Sequence, residues 1–517
     1  MPDTSPQAFT LALLPLDERP VNTRYPEMLA AIRGATLLLP PLTMQGRQRE
    51  AADLDAVRDW LQDVAGRAEA VIASADFLGF GNLINARISH DSAAAVLSRL
   101  SVLASINAAC PVHGFTLITR VSNADDAVEE PAYWAEWGTR FHRYARLTHQ
   151  AERGECEDEG ELARLDAELP TDLKADWLTR RLRNHTVNLG LLDLAARGEI
   201  TSLRLTSDDT GVWGFPSRER DWLRGWNSLL GPALTDRVQM HPGADEVGSA
   251  ILASLLMART GRTPRVRVVY SHPEDRMLVA PYEDRPVWET VEGQIRACGG
   301  APVNDGDDGD FVLGVTPPSP RRTDYRPEFL DSDRQTRTEA YQAFLQTLAD
   351  WQGRGIPVAL ADVAYPNGGD PLLTELLLSA DCPLSLGTLA AYGAWNTAGN
   401  TLGIAVAQAA CAGLIGDNPA RAAAQALFLA HRFLEDWGYQ TVVRREARAE
   451  AMRLWGRPEP DPESSAELRQ LCAFIEARLA VCLTRLQARG VGTGLTLAPS
   501  SVRLPWRRTF EVDFVLA

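Results

Sequence analysis

The sequence predicts an α/β protein: a parallel-stranded (β/α) barrel-like core carrying a helical insertion and a C-terminal helical lobe. Three observations predict it. Short runs rich in Leu, Val and Ile recur along the chain and are nearly continuous in hydrophobicity, as strands covered on both faces by helices are. Amphipathic helical stretches lie between them, which implies βαβ units. Two long, polar helical stretches then interrupt the alternation.

The apolar runs are Phe9–Leu16, Thr36–Leu39, Ala70–Ser74, Phe115–Arg120, Ser202–Thr206, Val266–Tyr270, Phe311–Val315, Val358–Val363 and Pro383–Leu389. Helical spacing appears in Ala51–Ala65, where Leu54, Val57, Leu61 and Val64 share one face. It recurs in Asp91–Ala109, Asp245–Arg259, Val287–Cys298 and Thr336–Trp351. With 517 residues the chain exceeds one ordinary core. The expected parts are an N-terminal α/β lobe over 1–260, including a helical insertion over 130–197 that could serve as a lid, a second α/β part over 261–416 contributing to the same site, and a helical lobe over 417–517 with a short β tail at Arg503–Leu516. Thr260–Pro264 is the candidate linker. No internal repeat stands out.

Bulk properties exclude several functions. A net charge of −16 disfavours nucleic acid, whose phosphates need clustered Lys and Arg. The seven cysteines form no CxxC and have no histidine at zinc-like spacing, so they read as reduced thiols of a cytoplasmic protein. Met1–Thr10 shows no basic segment followed by an apolar core, so no secretion signal is expected. No apolar stretch reaches membrane-spanning length, and Ile404–Ile415 reads as a buried core helix. No GxGxxG, P-loop, GxSxG or HExxH occurs, so no cofactor is expected.

Ligands of α/β sheets and barrels bind beyond the carboxyl ends of the strands, so the residues after each apolar run carry the functional information. After the first run come Asp17, Arg19 and Asn22, stiffened by Pro15 and Pro20. After the third come Asp76, Gly79, Gly81, Asn82 and Arg87; a helix cap with turn glycines would use the same residue types. After Thr206 stand Asp208 and Asp209, adjacent acids of which one should hold its proton against the other's charge. Trp213 beyond them offers a ring face on which a sugar could stack. Asp362 sits inside another run, where burial would demand a partner, and Asn367 follows in an Asn-Gly-Gly turn. Finally Tyr392, Trp395, Asn396 and Asn400 lead into an apolar helix, with more amides and rings than a cap requires. Such groups suit a neutral, polyhydroxylated small molecule.

Leu14-Pro15-Leu16-Asp17-Glu18-Arg19-Pro20-Val21-Asn22, Ser207-Asp208-Asp209, Gly243-Ala244-Asp245-Glu246 and Trp395–Gly403 together resemble the uncharacterised bacterial family called domain of unknown function 4127. The resemblance runs from Leu14 to Gly403, with an echo at Leu504-Pro505-Trp506. It departs at Gly81-Asn82-Leu83 and Ala86-Arg87, where the family pattern has a Gly-Gly-Leu stretch before a Ser-Arg pair. The family implies no activity. Separately, Asp208-Asp209 is similar to the adjacent aspartates of barrel-fold N-acetylglucosaminidases, which implies one acid steadying an acetamido group beside an acid–base neighbour. That likeness also implies sugar contacts from Asn367, Trp395 and Asn396.

The expected function is a hydrolase acting on a small, neutral, sugar-like substrate. Asp208 and Asp209 would be its catalytic acids. Asp17, Arg19, Asn22, Asp76, Arg87, Asn367, Tyr392, Trp395, Asn396 and Asn400 would bind substrate around one hollow. Two alternatives stand beside it: a Mg²⁺- or Mn²⁺-dependent hydrolase using Asp17, Asp76 and Asp208, and a protein that binds a sugar or metabolite without turnover.

Overall fold

A computed structural model describes residues 9–303, 307–413, 416 and 418–517. Most of the N-terminal stretch read above for a signal, Leu414 and Ile415 of the predicted core helix, and Asp417 at the start of the predicted lobe lie outside the described residues. The chain divides into two compact units. The first holds the described residues up to Glu18, Ala35–Ile251 and Tyr282–Arg285; the second holds Arg19–Gly34, Leu252–Pro281 and the chain from Pro286 onward.

The first unit contains strands β1 (Thr10–Leu14), β2 (Thr36–Leu38), β3 (Ala70–Ser74), β4 (Val112–Ile118), β5 (Ser202–Ser207) and β6 (Val238–Pro242). They form one parallel sheet in the order β2-β1-β3-β4-β5-β6. Every residue of β3 is buried, as the continuous apolar run requires of a strand covered on both faces. Three helices, Trp134–Glu152, Glu159–Glu168 and Thr171–Ala196, lie between β4 and β5. Register fixes which loops emerge together. Leu14 pairs with Ala73, Ser74 with Phe115, and Ile118 with Ser207. The segments carrying Asp17, Asp76, Arg120 and Asp208 therefore all leave the same edge of the sheet.

The second unit contains β7 (Arg265–Tyr270), β8 (Ala301–Pro302), β9 (Phe311–Thr316), β10 (Val358–Asp362) and β11 (Ala391–Gly393), all parallel, in the order β11-β10-β9-β7-β8. Counted within its own unit, each sheet runs 2-1-3-4-5, the first adding one more strand. Each reverses direction between its first and third strands, the switch point at which open α/β sheets bind ligands. A topological repeat is thus present where no sequence repeat can be read.

The expected barrel-like core is replaced by two sheets. Among the described residues β2, β6, β8 and β11 each pair on one side only, so neither sheet closes. Helix-covered strands give the same apolar runs in a barrel and in a doubly wound sheet, so the sequence pattern could not separate them. The predicted strand Pro383–Leu389 contains a 3₁₀ turn, Leu386–Thr388, and the strand begins at Ala391. A Cβ at Gly387 would lie 2.2 Å from the Gly490 carbonyl, so backbone packs on backbone where a strand side chain was expected.

Helices Pro419–Arg432, Arg444–Trp455 and Ser465–Gln487 follow the second sheet, and Phe433–Val443 between the first two is a π-helix. Isolated bridges Leu497–Leu516 and Arg503–Asp513 form the tail. Among the described residues no helix is long and apolar enough to cross a membrane.

Candidate functional site

In the first unit the site is built from the strand ends outward. Ser74 Oγ accepts from Phe77 N and starts the helix Ala75–Phe80. This places Asp76 in its first turn, where the carboxylate accepts from Leu117 N of β4 at 2.9 Å. Gly81 then turns the chain at φ 102°, and Asn82 Oδ1 accepts from Asn85 N to cap the helix Leu83–Ile88. Asn82 also donates to the carbonyls of Gln48 and Glu50, at 2.9 and 3.1 Å. It is a structural cap. Arg87, on that helix, reaches Asp208 at 2.6 Å, Glu129 at 2.9 Å and Glu130 at 3.5 Å. Arg120, just past β4, reaches Asp209 at 2.8 Å, Glu130 at 2.9 Å and Glu129 at 3.0 Å.

Four carboxylates thus share two guanidinium groups, and two of the four are raised, chiefly by burial. Burial and then the Asp208 charge push Asp209 up. Burial likewise raises Glu130 against the pull of Arg87 and Arg120. Asp76 is raised to about 7, chiefly by burial, although its bonds from Leu117 and Thr116 pull the other way. Asp209 has φ 32°, in the left-handed region that non-glycine residues seldom occupy. Its side chain is 30% exposed, against 7% for Asp208. One acid is partly exposed and its neighbour is enclosed.

A raised carboxyl makes stability depend on pH. In the unfolded chain Asp76 titrates near its ordinary value, so between about 4 and about 7 the native state binds the extra proton and loses stability as pH rises. About three pH units at about 1.4 kcal/mol each set an upper scale near 4 kcal/mol. Chemical denaturation across this window should show wild type losing stability relative to D76N, which carries no titrating group there. Parallel curves for the two proteins would refute the assignment.

Behind the paired acids lies a cavity of about 20 Å³, enough for one water molecule. Arg87, Arg120, Glu130, Trp134, Trp177 and Arg181 contribute to its lining. Its wall is held by Trp134 stacked on Phe141 at 5.2 Å and Trp177 stacked on Phe215 at 5.1 Å. Arg181 is occupied by Glu219 at 2.7 and 2.8 Å.

In the second unit the strand ends carry a different set. Asp362, the last residue of β10, accepts from Thr316 Oγ1 at 2.5 Å and from Asp370 N at 2.6 Å. Burial and the charge of Asp370 raise it to about 6. Asp370 caps the helix Pro371–Leu378 through Leu372 N and also accepts from Tyr341 Oη at 2.6 Å. Asn367 (φ 61°) and Asn396 (φ 68°) both take the left-handed turn conformation, and Asn367 N donates to the Asn396 carbonyl at 3.1 Å. The π-helix supplies Asp436, whose carboxylate accepts from Ala394 N at 2.7 Å and pairs with Arg432.

The predicted site residues are therefore divided between the units. Asp76, Arg87, Asp208 and Asp209 come together in the first unit, and Asp17 leaves the same sheet edge and is buried. Arg19, Asn22, Asn367, Tyr392, Trp395, Asn396 and Asn400 belong to the second. Arg19 is taken by Glu511 at 3.1 Å and by the Trp506 ring at 4.6 Å. Tyr392 stacks on Phe433 at 4.0 Å, and its buried hydroxyl has no hydrogen-bond partner, nor does the Trp395 indole nitrogen. Asn400 is buried in the first turn of Ala398–Ala412, which Thr397 precedes. For the metal alternative, Asp208 is engaged by Arg87 and Asp76 by Leu117. Among the described residues no three His, Cys, Asp or Glu side chains are placed to share an ion.

Sequence reasoning missed Arg120, Glu129, Glu130, Glu435 and Asp436. Glu435-Asp436 had a readable signal, two acids flanked by Phe433-Leu434 and Trp437. The loop acids Glu129 and Glu130 had none.

Two parallel sheets, each with buried carboxyls at its strand ends, define the class: an α/β protein. The chain belongs to the family described as protein of unknown function (DUF4127), whose model matches residues 11–515. No curated protein and no solved structure matches the chain.

Proposed function

We propose that the protein is a hydrolase acting on a small, neutral, sugar-like molecule through the carboxyls at the end of β5. One observation carries the reading. Asp208 and Asp209 are adjacent, yet one is enclosed against Arg87 while the other is strained, partly open and raised. Adjacent carboxyls, one enclosed in an ion pair and the other raised, can act as charged partner and proton donor in one reaction. Asp209 would donate the proton to the leaving group, and Asp208 would oppose the developing positive charge. The indole of Trp213, in contact with His149 at 5.1 Å beyond the paired acids, would offer a sugar its ring face. The 20 Å³ cavity holds no sugar, so substrate would meet Asp209 from its exposed side. The seven free cysteines suit a reducing, cytoplasmic setting.

D209N tests the reading. Turnover of a responsive chromogenic glycoside should fall by about 10²–10⁴ with an unchanged circular dichroism spectrum. Wild-type rates in D209N, or no hydrolysis by wild type across a broad glycoside panel, would remove the proposal.

A further inference from the structure

The second unit carries a polar group that its own fold leaves unsatisfied. Arg337, on the helix Leu330–Gly353, is 5% exposed. Its Nη1 donates to Asp370 Oδ2 at 3.3 Å, while Nε and Nη2 are buried without a hydrogen-bond partner. Among the described residues it is the one arginine with two such nitrogens. Nε and Nη2 form a single edge of the guanidinium, two parallel N–H groups whose spacing matches the two oxygens of a carboxylate or phosphate. Leaving both unmade is costly in a protein interior, which marks the edge as built for something.

Its surroundings point the same way. The guanidinium lies over the Tyr341 ring at 4.9 Å, and the His272 ring meets the same tyrosine edge-on at 5.3 Å. His272 follows β7, its Nδ1 is engaged with Ser271 Oγ at 2.9 Å, and its Nε2 is buried and unpaired. His272 follows β7 and Asp370 follows β10, and β9 lies between those two strands in the sheet. The unsatisfied edge thus stands among strand-end groups, next to the β7/β9 reversal at which doubly wound sheets receive ligands.

We propose that the β7/β9 switch point of the second unit binds an oxyanion, the carboxylate or phosphate of a small metabolite, held two-pronged by Arg337 with His272 beside it. The ligand's negative charge is offset by Arg337, and Asp370 keeps only the Nη1 prong. Tyr325, edge-on to Tyr365 at 5.3 Å, and Arg321, paired with Asp333 at 2.5 Å, hold the segment after β9 in place nearby. This inference does not depend on the hydrolase reading and concerns a different unit.

The test titrates the full-length protein with inorganic phosphate, with acetate and with sodium chloride at matched ionic strength, following the thermal midpoint and the heat of binding. Saturable binding of phosphate, acetate or both is expected beyond any chloride effect, and the two anions separate phosphate from carboxylate chemistry. R337K keeps the charge but removes the two-pronged edge, and should weaken binding at least about tenfold. H272A should weaken it less, and D209N should bind as wild type does even where hydrolysis is lost. If R337K proves unfolded by circular dichroism, H272A alone carries the comparison. Anion effects no larger than those of chloride, or unaltered affinity in folded R337K and H272A, would overturn the proposal.

Discussion

Replacing Arg87 by methionine should lower the free energy of unfolding by about 3–5 kcal/mol, because it strips the partner from several buried carboxylates at once. Arg87 is 2.6 Å from Asp208, 2.9 Å from Glu129 and 3.5 Å from Glu130. Methionine replaces the stem but not the charge. Arg120 would then face four acids alone, and those acids would take up protons to relieve the repulsion. The loss in R87M should therefore shrink as pH falls toward the carboxylate range, which a simple packing defect would not do. Urea denaturation of R87M and of R87M/D208N measures it, the second change returning part of the loss because the stranded charge is gone. A cost below about 1 kcal/mol, the range of exposed pairs, would mean that the four acids are solvated.

Asp436→Ala should cost a similar amount, about 3–5 kcal/mol, for a related reason in the second unit. The Asp436 carboxylate is fully enclosed, accepting from Ala394 N at 2.7 Å while pairing with Arg432. Its removal leaves a buried guanidinium with Glu435 at 3.5 Å and an amide with no acceptor. Glu435 is raised to about 8, first by burial, and Arg432 is the main influence opposing that rise. It should ionise more readily in D436A, with the full attention of Arg432. A lowered Glu435 pKa by carboxyl NMR, together with a lower denaturation midpoint, is the expected pair of results. Unchanged stability would show that Asp436 does not pin the turn after β11.

Both clusters were only partly legible from sequence, and the reason is geometric. Asp76 and Asp208 could be found because acids just beyond buried strands stand out, and the register of parallel strands brings such positions to one edge. Asn367 was recognisable as a turn residue and adopts the left-handed conformation; Asn396, read as a ligand-binding amide, adopts it as well. Arg120 ends a strand that was identified, yet nothing local says that it answers Asp209, 89 positions away. Glu435-Asp436 sits in a π-helix, where wider turns carry adjacent acids inward; a 3.6-residue period assigns one of them to solvent. Strand neighbours are also not written in chain order, which is why one barrel-like core was expected where two open sheets occur.

The short segment Arg19–Gly34 follows β1 but belongs to the second unit. Its helix, Arg24–Arg33, packs against Pro419–Arg432, with Tyr25 5.6 Å from Phe428. During synthesis the helix is made first, and its partner follows nearly four hundred codons later. At roughly 5–20 residues per second this is a delay of about 20 to 80 seconds. Through that interval Tyr25, Leu29 and Ile32, all buried in the finished molecule, have no permanent cover. A nascent chain arrested before Pro419 should therefore be a good chaperone client, and release of a chain extended well past Arg432 should end the dependence.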